Sequence, residues 1–306
     1  GGYNVINLDK ENYSYVMVGD HTVPLLAALI STGRADFDPM LAYAGARKNA
    51  FPGGIRDRAG YEASPNPSGG GIDWYVSLGY VPVEIAGRGD GFHRGGTSMT
   101  LEYAYQDWCI SAMAEVLGKD EDATLFLKRS ENWRNVFDPV AGWARPRHES
   151  GEWMEPFSPI SVEGKFNSQG FIEGNSATYS FYVPQNVKGL ITEMGGNELF
   201  ITKLDSNFIK AAPYRFVTPH GEHGTGWVDY ENQPSCEMAH LFSYAGAPWL
   251  TQYWVHQVKE KSFGGTDPLN GYNGDEDQGQ LGALGVLMAI GLFDVQGCVG
   301  VDPDLE

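Results

Sequence analysis

The chain has 306 residues, of which 42% are hydrophobic, and it carries 21 basic against 39 acidic residues. This length is enough for one large domain or two ordinary domains with substantial cores. The net charge of −18 argues against nucleic acid or an anionic membrane as a partner, because both require a basic surface. The charge is compatible with cation binding, and acidity that serves only solubility explains it at least as well.

Uninterrupted apolar stretches are too short for a transmembrane helix, and the longest, residues 281–293, is predicted to be a buried helix. The chain begins without a basic region followed by an apolar segment, so we expect no signal peptide within it. The cysteines lie far apart and form no CxxC pair, so a zinc site is not indicated and at most one disulfide is expected. They are Cys109, Cys236 and Cys298.

Helical patterns dominate and alternate with long connections rich in Gly, Pro and Asn. The strongest predicted helix is 97–117, because large apolar residues recur there at helical spacing and Gly118 follows. Another helix is predicted to begin at 20–22 and to end at Gly33. The remaining predicted helices cover 37–50, 122–136, 175–194, 198–209, 237–259 and 278–292.

The connections are predicted to be mostly loop, notably 52–91 and the aromatic-rich segment 137–170, with only short strand patterns such as 80–85. No repeat of 20–50 residues is visible, so a solenoid is not supported. Paired helices with long loops at one end indicate a mainly α fold of the α/α-toroid type. Seven or eight helices are predicted, whereas six hairpins need twelve, so we expect the toroid to be incomplete.

Polar residues cluster where three loops enter helices, at 170–179, 227–235 and 271–280. Cleavage of a glycosidic bond needs a protonated carboxyl to assist the leaving oxygen and a carboxylate to activate water or attack. Glu173, Asp275 and Asp277 are the candidates for these roles. Taken singly, an acidic residue before a helix is more often an N-cap than a catalytic group.

The helix dipole bears on the assignment of roles to these carboxyls. Asp275 and Asp277 precede a predicted helix, whose positive end lowers a carboxyl pKa and so favours the ionised form that a base or metal ligand requires. Glu173 also precedes a predicted helix, which opposes retention of a proton. Burial among aromatic and acidic neighbours would have to outweigh the dipole if Glu173 is an acid.

Loop aromatics beside arginine suggest a platform for sugar rings, although core packing explains any single tryptophan better. The set comprises Trp143, Trp153, Trp227 and Trp249 beside Arg145 and Arg147, and the predicted sugar-binding residues among them are Trp143, Arg145, Trp153 and Trp227. The histidines form no HExxH or HxH pair, so a metal role is not expected for them. Serine-nucleophile and nucleotide-binding motifs are absent from the sequence.

Six strings, taken together and in order, resemble glycoside hydrolase family 92 over nearly the whole chain. They are 18–24 (VGDHTVP), 101–108 (LEYAYQDW), 137–139 (FDP) with 145–147 (RPR), 173–175 (EGN), 244–249 (YAGAPW) and 274–280 (GDEDQGQ). The resemblance implies the C-terminal part of an (α/α)6 catalytic barrel. It also implies an inverting, calcium-dependent exo-α-mannosidase that acts on mannose-containing glycans.

The resemblance also implies roles for individual residues. Glu173 matches the general acid, and Asp275 and Asp277 match the acidic pair that supplies the base. The calcium ligands implied are Asn232, Gln233 and Asp275, and Ca²⁺ bound there would contact the mannose O2 and O3 hydroxyls. Inversion predicts carboxyl groups about 6.5–9.5 Å apart, which leaves room for a water molecule.

Two local departures concern the metal site and the linkage. The family's Asn-Glu-Pro is Asn232-Gln233-Pro234 here, which removes a negative charge near the metal. The His-Glu pair of α-1,2-specific members corresponds to Val228-Asp229, so Asp229 is a candidate sugar-binding residue and α-1,2 specificity is not assumed.

The family's N-terminal β-sandwich and first barrel helices have no counterpart in this chain. We therefore expect a fragment, a cleavage product or one part of a split enzyme, with the missing N-terminal portion as a partner. Secretion or a periplasmic location is expected from the resemblance. The alternatives are a non-catalytic carbohydrate-binding or structural protein on the same scaffold, and a different α/α-toroid glycosidase acting on another sugar.

Overall fold

The computed structural model describes residues 5–7, 12–13, 18–58, 69–88, 94–161, 167–219, 221–267, 269–274 and 279–297. These residues fall into two compact units. The first unit comprises Gly1–Val136, Arg145–Glu155 and Gln296–Glu306, and the second comprises Phe137–Ala144 and Pro156–Val295. Asp275 and Asp277, two of the predicted catalytic residues, lie outside the described residues.

The first unit is built around one buried helix. Its helices are α1 (Thr22–Ser31), α2 (Pro39–Asn49), α3 (Ile72–Leu78), α4 (Gly96–Val116) and α5 (Asp120–Ser130), and its strands β1 (Val5–Asn7) and β2 (Asn12–Tyr13) are antiparallel. Helix α4 packs against α1 and α5 and is buried along most of its length. A helix enclosed on all sides needs no single apolar face, so α4 carries polar as well as apolar residues inward.

A buried ion cluster anchors α4 within this unit. The carboxylate of Asp107 is fully buried and accepts from Arg56 at 2.6 Å and from Arg129 at 2.7 Å. The Tyr75 hydroxyl donates to the same carboxylate at 3.1 Å. The charge is tolerated in the core because charged and polar donors replace the water it lost.

The second unit carries the loops of interest. Its elements are the antiparallel strands β3 (Phe137–Asp138) and β4 (Trp143–Ala144), and helices α6 (Ser176–Tyr179), α7 (Val187–Glu193), α8 (Asn197–Ala211), α9 (Pro248–Ser262) and α10 (Gln280–Ile290). An aromatic cluster joins α8 to α9, where Phe208 stacks on Trp254 with ring centroids 5.1 Å apart. Burying such large rings stabilises the helical frame from which the loops project.

Most predicted helices are present, but two predicted long helices are interrupted. The predicted helix 122–136 is α-helix only up to Ser130, where α5 ends, and continues as the 3-10 segment Glu131–Val136. The prediction 175–194 is wrong as a single helix, because α6 ends at Tyr179 and a 3-10 turn, Pro184–Asn186, precedes α7. The prediction 237–259 is also divided, into a 3-10 segment, Met238–Ser243, and α9. Proline explains both breaks, because Pro184 and Pro248 lack a backbone N–H and disfavour helix in the residue before them.

The segment 52–91 contains more structure than the predicted loop. Helix α3 lies within it between two left-handed glycines, and Val83–Gly87 forms a 3-10 helix where 80–85 was predicted to be a strand. No described helix is long and apolar enough to cross a membrane. Cys109 and Cys236 are buried, and Cys298 lies outside the described residues.

Candidate active site

The loop before α6 holds Glu173 in a strained conformation. Its φ is +47°, in the left-handed region that residues with a side chain rarely adopt. The Glu173 N–H donates to the Asn167 side-chain oxygen at 2.6 Å, and Asn175 caps α6 by accepting from the Thr178 N–H at 3.1 Å. Strain of this kind persists only where surrounding contacts enforce it, and it is concentrated at functional sites.

Asn232 brings a second loop onto Glu173. Its Nδ2 donates to Glu173 Oε2 at 2.8 Å and lies 3.3 Å from the Glu173 carbonyl oxygen. Asn232 is buried and Glu173 is half-buried. Two of the segments that the sequence singled out, 170–179 and 227–235, therefore meet at a carboxyl group.

Asp229 organises the loop that carries Asn232. Its Oδ1 accepts the backbone N–H groups of Thr218 and Glu231, each at 3.1 Å, and its Oδ2 accepts the Thr218 hydroxyl at 2.6 Å. His223 Nδ1 lies 2.8 Å from the same Oδ2, and both side chains are buried. The Asp229 carboxylate is thus engaged by donors of the protein itself, and it links Thr218 and His223 to the turn 229–232, which carries Asn232.

The acidic surroundings of His223 act on its protonation. Burial lowers its pKa, but the hydrogen bond and charge of Asp229, with the charges of Glu231 and Glu173, outweigh burial, so the pKa is raised above 6.5. The effect of the Glu173 charge on His223 links this turn electrostatically to the candidate acid.

A group of potential metal ligands lies around the Asp229 carboxylate. One ligand atom from each of His223, Asp229 and Glu231 lies within 4.8 Å of the others, and all three residues are buried. Gly274, with φ +78°, packs so tightly here that a Cβ atom would lie 2.2 Å from the Glu231 carbonyl oxygen. The histidines were not expected near a metal, and neither His223 nor Glu231 was predicted as a site residue.

Two of the tryptophans predicted to bind sugar, Trp143 and Trp227, belong to the second unit, and a lysine ammonium lies over the ring of each. Lys203 Nζ lies 3.9 Å from the ring centroid of Trp143, and Lys210 Nζ lies 3.6 Å from that of Trp227. The two indoles are near each other, with centroids 6.4 Å apart. Burial lowers the pKa of Lys203 to about 8, so a cation–π contact with Trp143 weakens above that pH.

The other two predicted platform residues belong to the first unit. The Arg145 guanidinium donates to the Met154 carbonyl oxygen at 3.0 Å and pairs with Glu155. Trp153 lies beneath Arg147, whose guanidinium carbon is 4.9 Å from the ring centroid. Both residues thus have local partners within their own unit, and their predicted contact with sugar stays a prediction.

The structure changes the dipole argument about Glu173. Helix α6 has four residues rather than the twenty of the predicted helix 175–194, so it carries little macrodipole. The dipole of a long helix, which was expected to oppose retention of a proton by Glu173, is therefore not present at this position. For Asp275 and Asp277, which are not among the described residues, the corresponding argument stays a prediction.

The sequence predicts Asp229 as a site residue but not its partners. Asp229 lies in a segment that was singled out, whereas Thr218 and His223 lie in a Gly-rich loop with no motif of their own. Asn167, which holds the Glu173 backbone, likewise carries no sequence signal. Contacts between such loops follow from folding, so pattern analysis of either loop alone does not find them.

A mainly helical fold with loop-borne carboxyls is the architecture of an α/α-toroid glycoside hydrolase domain. Residues 7–301 match the sequence profile of the glycosyl hydrolase family 92 catalytic domain. The chain belongs to glycoside hydrolase family 92, as its six strings predicted. A curated relative, 27% identical over 243 residues, is an uncharacterized secreted glycosidase of Arthroderma benhamiae, and the match covers 73% of this chain and 29% of that protein.

Solved structures agree with this assignment. A family 92 α-mannosidase from Bacteroides thetaiotaomicron, in complex with mannoimidazole, superposes with a TM-score of 0.74 at 29% identity, covering 92% of this chain and 34% of that one. A family 92 inverting mannosidase from the same organism gives 0.73 at 30% identity, covering 94% and 37%. This similarity confirms the mainly α, α/α-toroid fold class. The chain spans about a third of the length of these relatives.

Proposed function

We propose that the protein carrying this chain is an inverting, calcium-dependent exo-α-mannosidase with Glu173 as its general acid. Membership of family 92 supports the reaction class. The observation that carries the assignment of Glu173 is its setting: a half-buried carboxyl on a strained backbone, held by Asn167 and Asn232 from separate loops. An acid that must act on one bond needs such a fixed position.

In the proposed reaction, Glu173 donates its proton to the glycosidic oxygen as the bond from mannose C1 to that oxygen breaks. The electron pair of the bond stays with the departing oxygen. A water molecule attacks C1 from the opposite face, and its proton passes to Asp275 or Asp277. The products are mannose of inverted anomeric configuration and the shortened glycan.

Calcium would be held by oxygen atoms of Asn232, Gln233 and Asp275. The described donors fit a hard cation in kind: amide and carboxylate oxygens dominate, Asn232 Oδ1 retains a lone pair beside its bond from the Gln233 N–H, and Glu231 adds a buried carboxylate. His223 is a poorer ligand for calcium, and Asp229 is already engaged. When bound, the cation would bind and orient the O2 and O3 hydroxyls of mannose.

The remaining site assignments are part of the same proposal. Trp143, Arg145, Trp153, Trp227 and Asp229 are each proposed as sugar-binding residues. Each tryptophan would stack on sugar through the ring face that its cationic neighbour leaves open. The proposed partners are a mannose-containing glycan and the N-terminal β-sandwich portion that larger family members carry. Secretion or a periplasmic location is proposed in line with the fungal relative's description.

The test is mannose release from α-linked mannobioses by the intact source protein, with calcium and then with a chelator. We expect chelator-sensitive release, with proton NMR showing β-mannose as the first product, since inversion of an α-linkage yields the β-anomer. Glu173→Gln should abolish release, whereas Glu222→Gln, next to His223 in the chain, should not. No release from any linkage by the wild type would favour a non-catalytic carbohydrate-binding protein, for which Gln233 in place of glutamate is the supporting observation.

A further inference from the structure

We infer that Asn232 is a positioning residue for the general acid, in addition to any contact it makes with calcium. This inference rests on the proposed function, in which Glu173 donates the proton. Asn232 acts through Glu173 rather than on the substrate. Its side chain selects which carboxyl oxygen carries the proton and where that oxygen points.

The orientation of the Asn232 amide is determined by its two neighbours. Its Oδ1 accepts the Gln233 N–H at 2.8 Å, and its Nδ2 donates to Glu173 Oε2 at 2.8 Å. Flipping the amide would place its NH₂ group against the Gln233 N–H and its oxygen nearer the Glu173 backbone carbonyl oxygen, and both pairs would repel whatever the protonation of the Glu173 side chain. The nitrogen therefore faces Glu173, and the side chain is buried, with 5% of its surface exposed.

This contact assigns the two oxygens of Glu173 different roles. A protonated carboxyl group accepts through its carbonyl oxygen and donates through its hydroxyl. Because Oε2 accepts from Asn232, it is the carbonyl oxygen of the acid, and the proton lies on Oε1. The donor thus aims the O–H in one direction before the substrate binds, which lowers the cost of reaching the transition state.

The turn that presents Asn232 is itself tied down. The Asn232 N–H donates to the Asp229 carbonyl oxygen at 3.4 Å, and the Asp229 side chain is held by Thr218 and His223. On the other side, Asn167 holds the Glu173 backbone. The donor and the acid are therefore both fixed, as a positioning contact requires.

A positioning role and a purely metal-binding role predict different behaviour for two variants. Asn232→Ala removes both the donor and the oxygen. Asn232→Asp keeps an oxygen for the Gln233 N–H and for calcium but has no N–H to donate to Glu173. If Asn232 served only the metal, Asn232→Asp would retain activity, because a carboxylate is a good calcium ligand.

The experiment compares two substrates in the intact source protein. An α-mannobiose has a poor leaving group and needs the acid, whereas 2,4-dinitrophenyl α-mannoside has a leaving group that needs little protonation. Asn232→Ala, which also removes an oxygen ligand of calcium, should lose activity on both substrates. We expect Asn232→Asp to lower kcat on mannobiose by about 10- to 100-fold, with KM within about twofold, and on the aryl mannoside by less than about threefold. Glu173→Gln should show the same pattern more strongly, and the exposed Asn197→Ala should match the wild type.

Calorimetry with calcium alone supplies a readout apart from activity. We expect the calcium affinity of Asn232→Asp to be at least that of the wild type, while its activity on mannobiose is lost. Retained activity of Asn232→Asp on mannobiose would overturn the inference, as would an equal loss of activity of this variant on both substrates. An inactive wild type would instead refute the proposed function. Thermal unfolding of each variant checks that the loop is folded.

Discussion

Replacing Asp229 by asparagine should loosen the whole turn that carries Asn232. Asparagine keeps Oδ1 for the N–H groups of Thr218 and Glu231, but its NH₂ group replaces the Oδ2 that accepts from His223 and the Thr218 hydroxyl. The Thr218 hydroxyl can rotate and accept instead, so the main loss is the charged bond to His223. A hydrogen bond to a charged group contributes about 1.5–3 kcal/mol, and we expect a loss of about 2–3 kcal/mol in the opening free energy of the turn.

Hydrogen–deuterium exchange of the peptides that contain Thr218 and Glu231 measures this directly. Because each 1.4 kcal/mol is about tenfold in an equilibrium, exchange through local opening should be about 30- to 140-fold faster in Asp229→Asn. The matched control is Glu222→Gln in the same loop, whose exchange should equal that of the wild type. An acceleration below about fivefold in Asp229→Asn would refute the view that this carboxylate holds the turn together.

Three further predictions concern Gly274 beside Glu231, the buried Asp107 carboxylate and the buried His240. Gly274→Ala places a methyl group 2.2 Å from the Glu231 carbonyl oxygen at a φ of +78°, so we expect a loss of about 2 kcal/mol or more and reduced mannose release. Asp107→Asn leaves two buried arginines short of a counter-charge and should cost about 3–5 kcal/mol, measured by denaturant unfolding. Burial lowers the pKa of His240 from 6.5 to about 4. As the pH falls, the unfolded chain therefore takes up a proton at this histidine before the folded chain does. The free energy of unfolding should fall by up to about 3 kcal/mol between pH 6.5 and pH 4. His240→Phe should remove this pH dependence while keeping the stack on Phe293.

Each of these predictions has a matched control. Gly291→Ala has nearly the same φ, +76°, but open space around its Cβ, so only the backbone cost of about 1 kcal/mol should remain. Glu131→Gln breaks the more exposed pair with Arg134 and should cost less than about 1 kcal/mol. His256→Phe replaces an exposed histidine and should leave the pH dependence of unfolding unchanged. Equal effects of a variant and its control would contradict the corresponding prediction.

Local patterns were sufficient for several helices. The starts and ends of α1, α2 and α4 follow from apolar spacing and from breakers close by in sequence, because a helix is stabilised mostly by interactions between residues three or four apart. The family strings predicted membership of family 92 for a similar reason, since each is a short contiguous segment. The prediction of a single helix over 175–194 was wrong because the helical pattern continues across Pro184, where the missing backbone N–H overrides side-chain spacing.

The sequence by itself determined the fold class, the family and the position of Glu173 in a polar segment before a helix. Only the tertiary structure decided how that residue is held. The contact from Asn232 spans 59 positions in the chain, and the partners of Asp229 come from a glycine-rich loop that has no motif. The left-handed backbone of Glu173 and the lysines over the two tryptophans are likewise products of packing. Such features depend on which distant segments folding brings together, and no local periodicity encodes that choice.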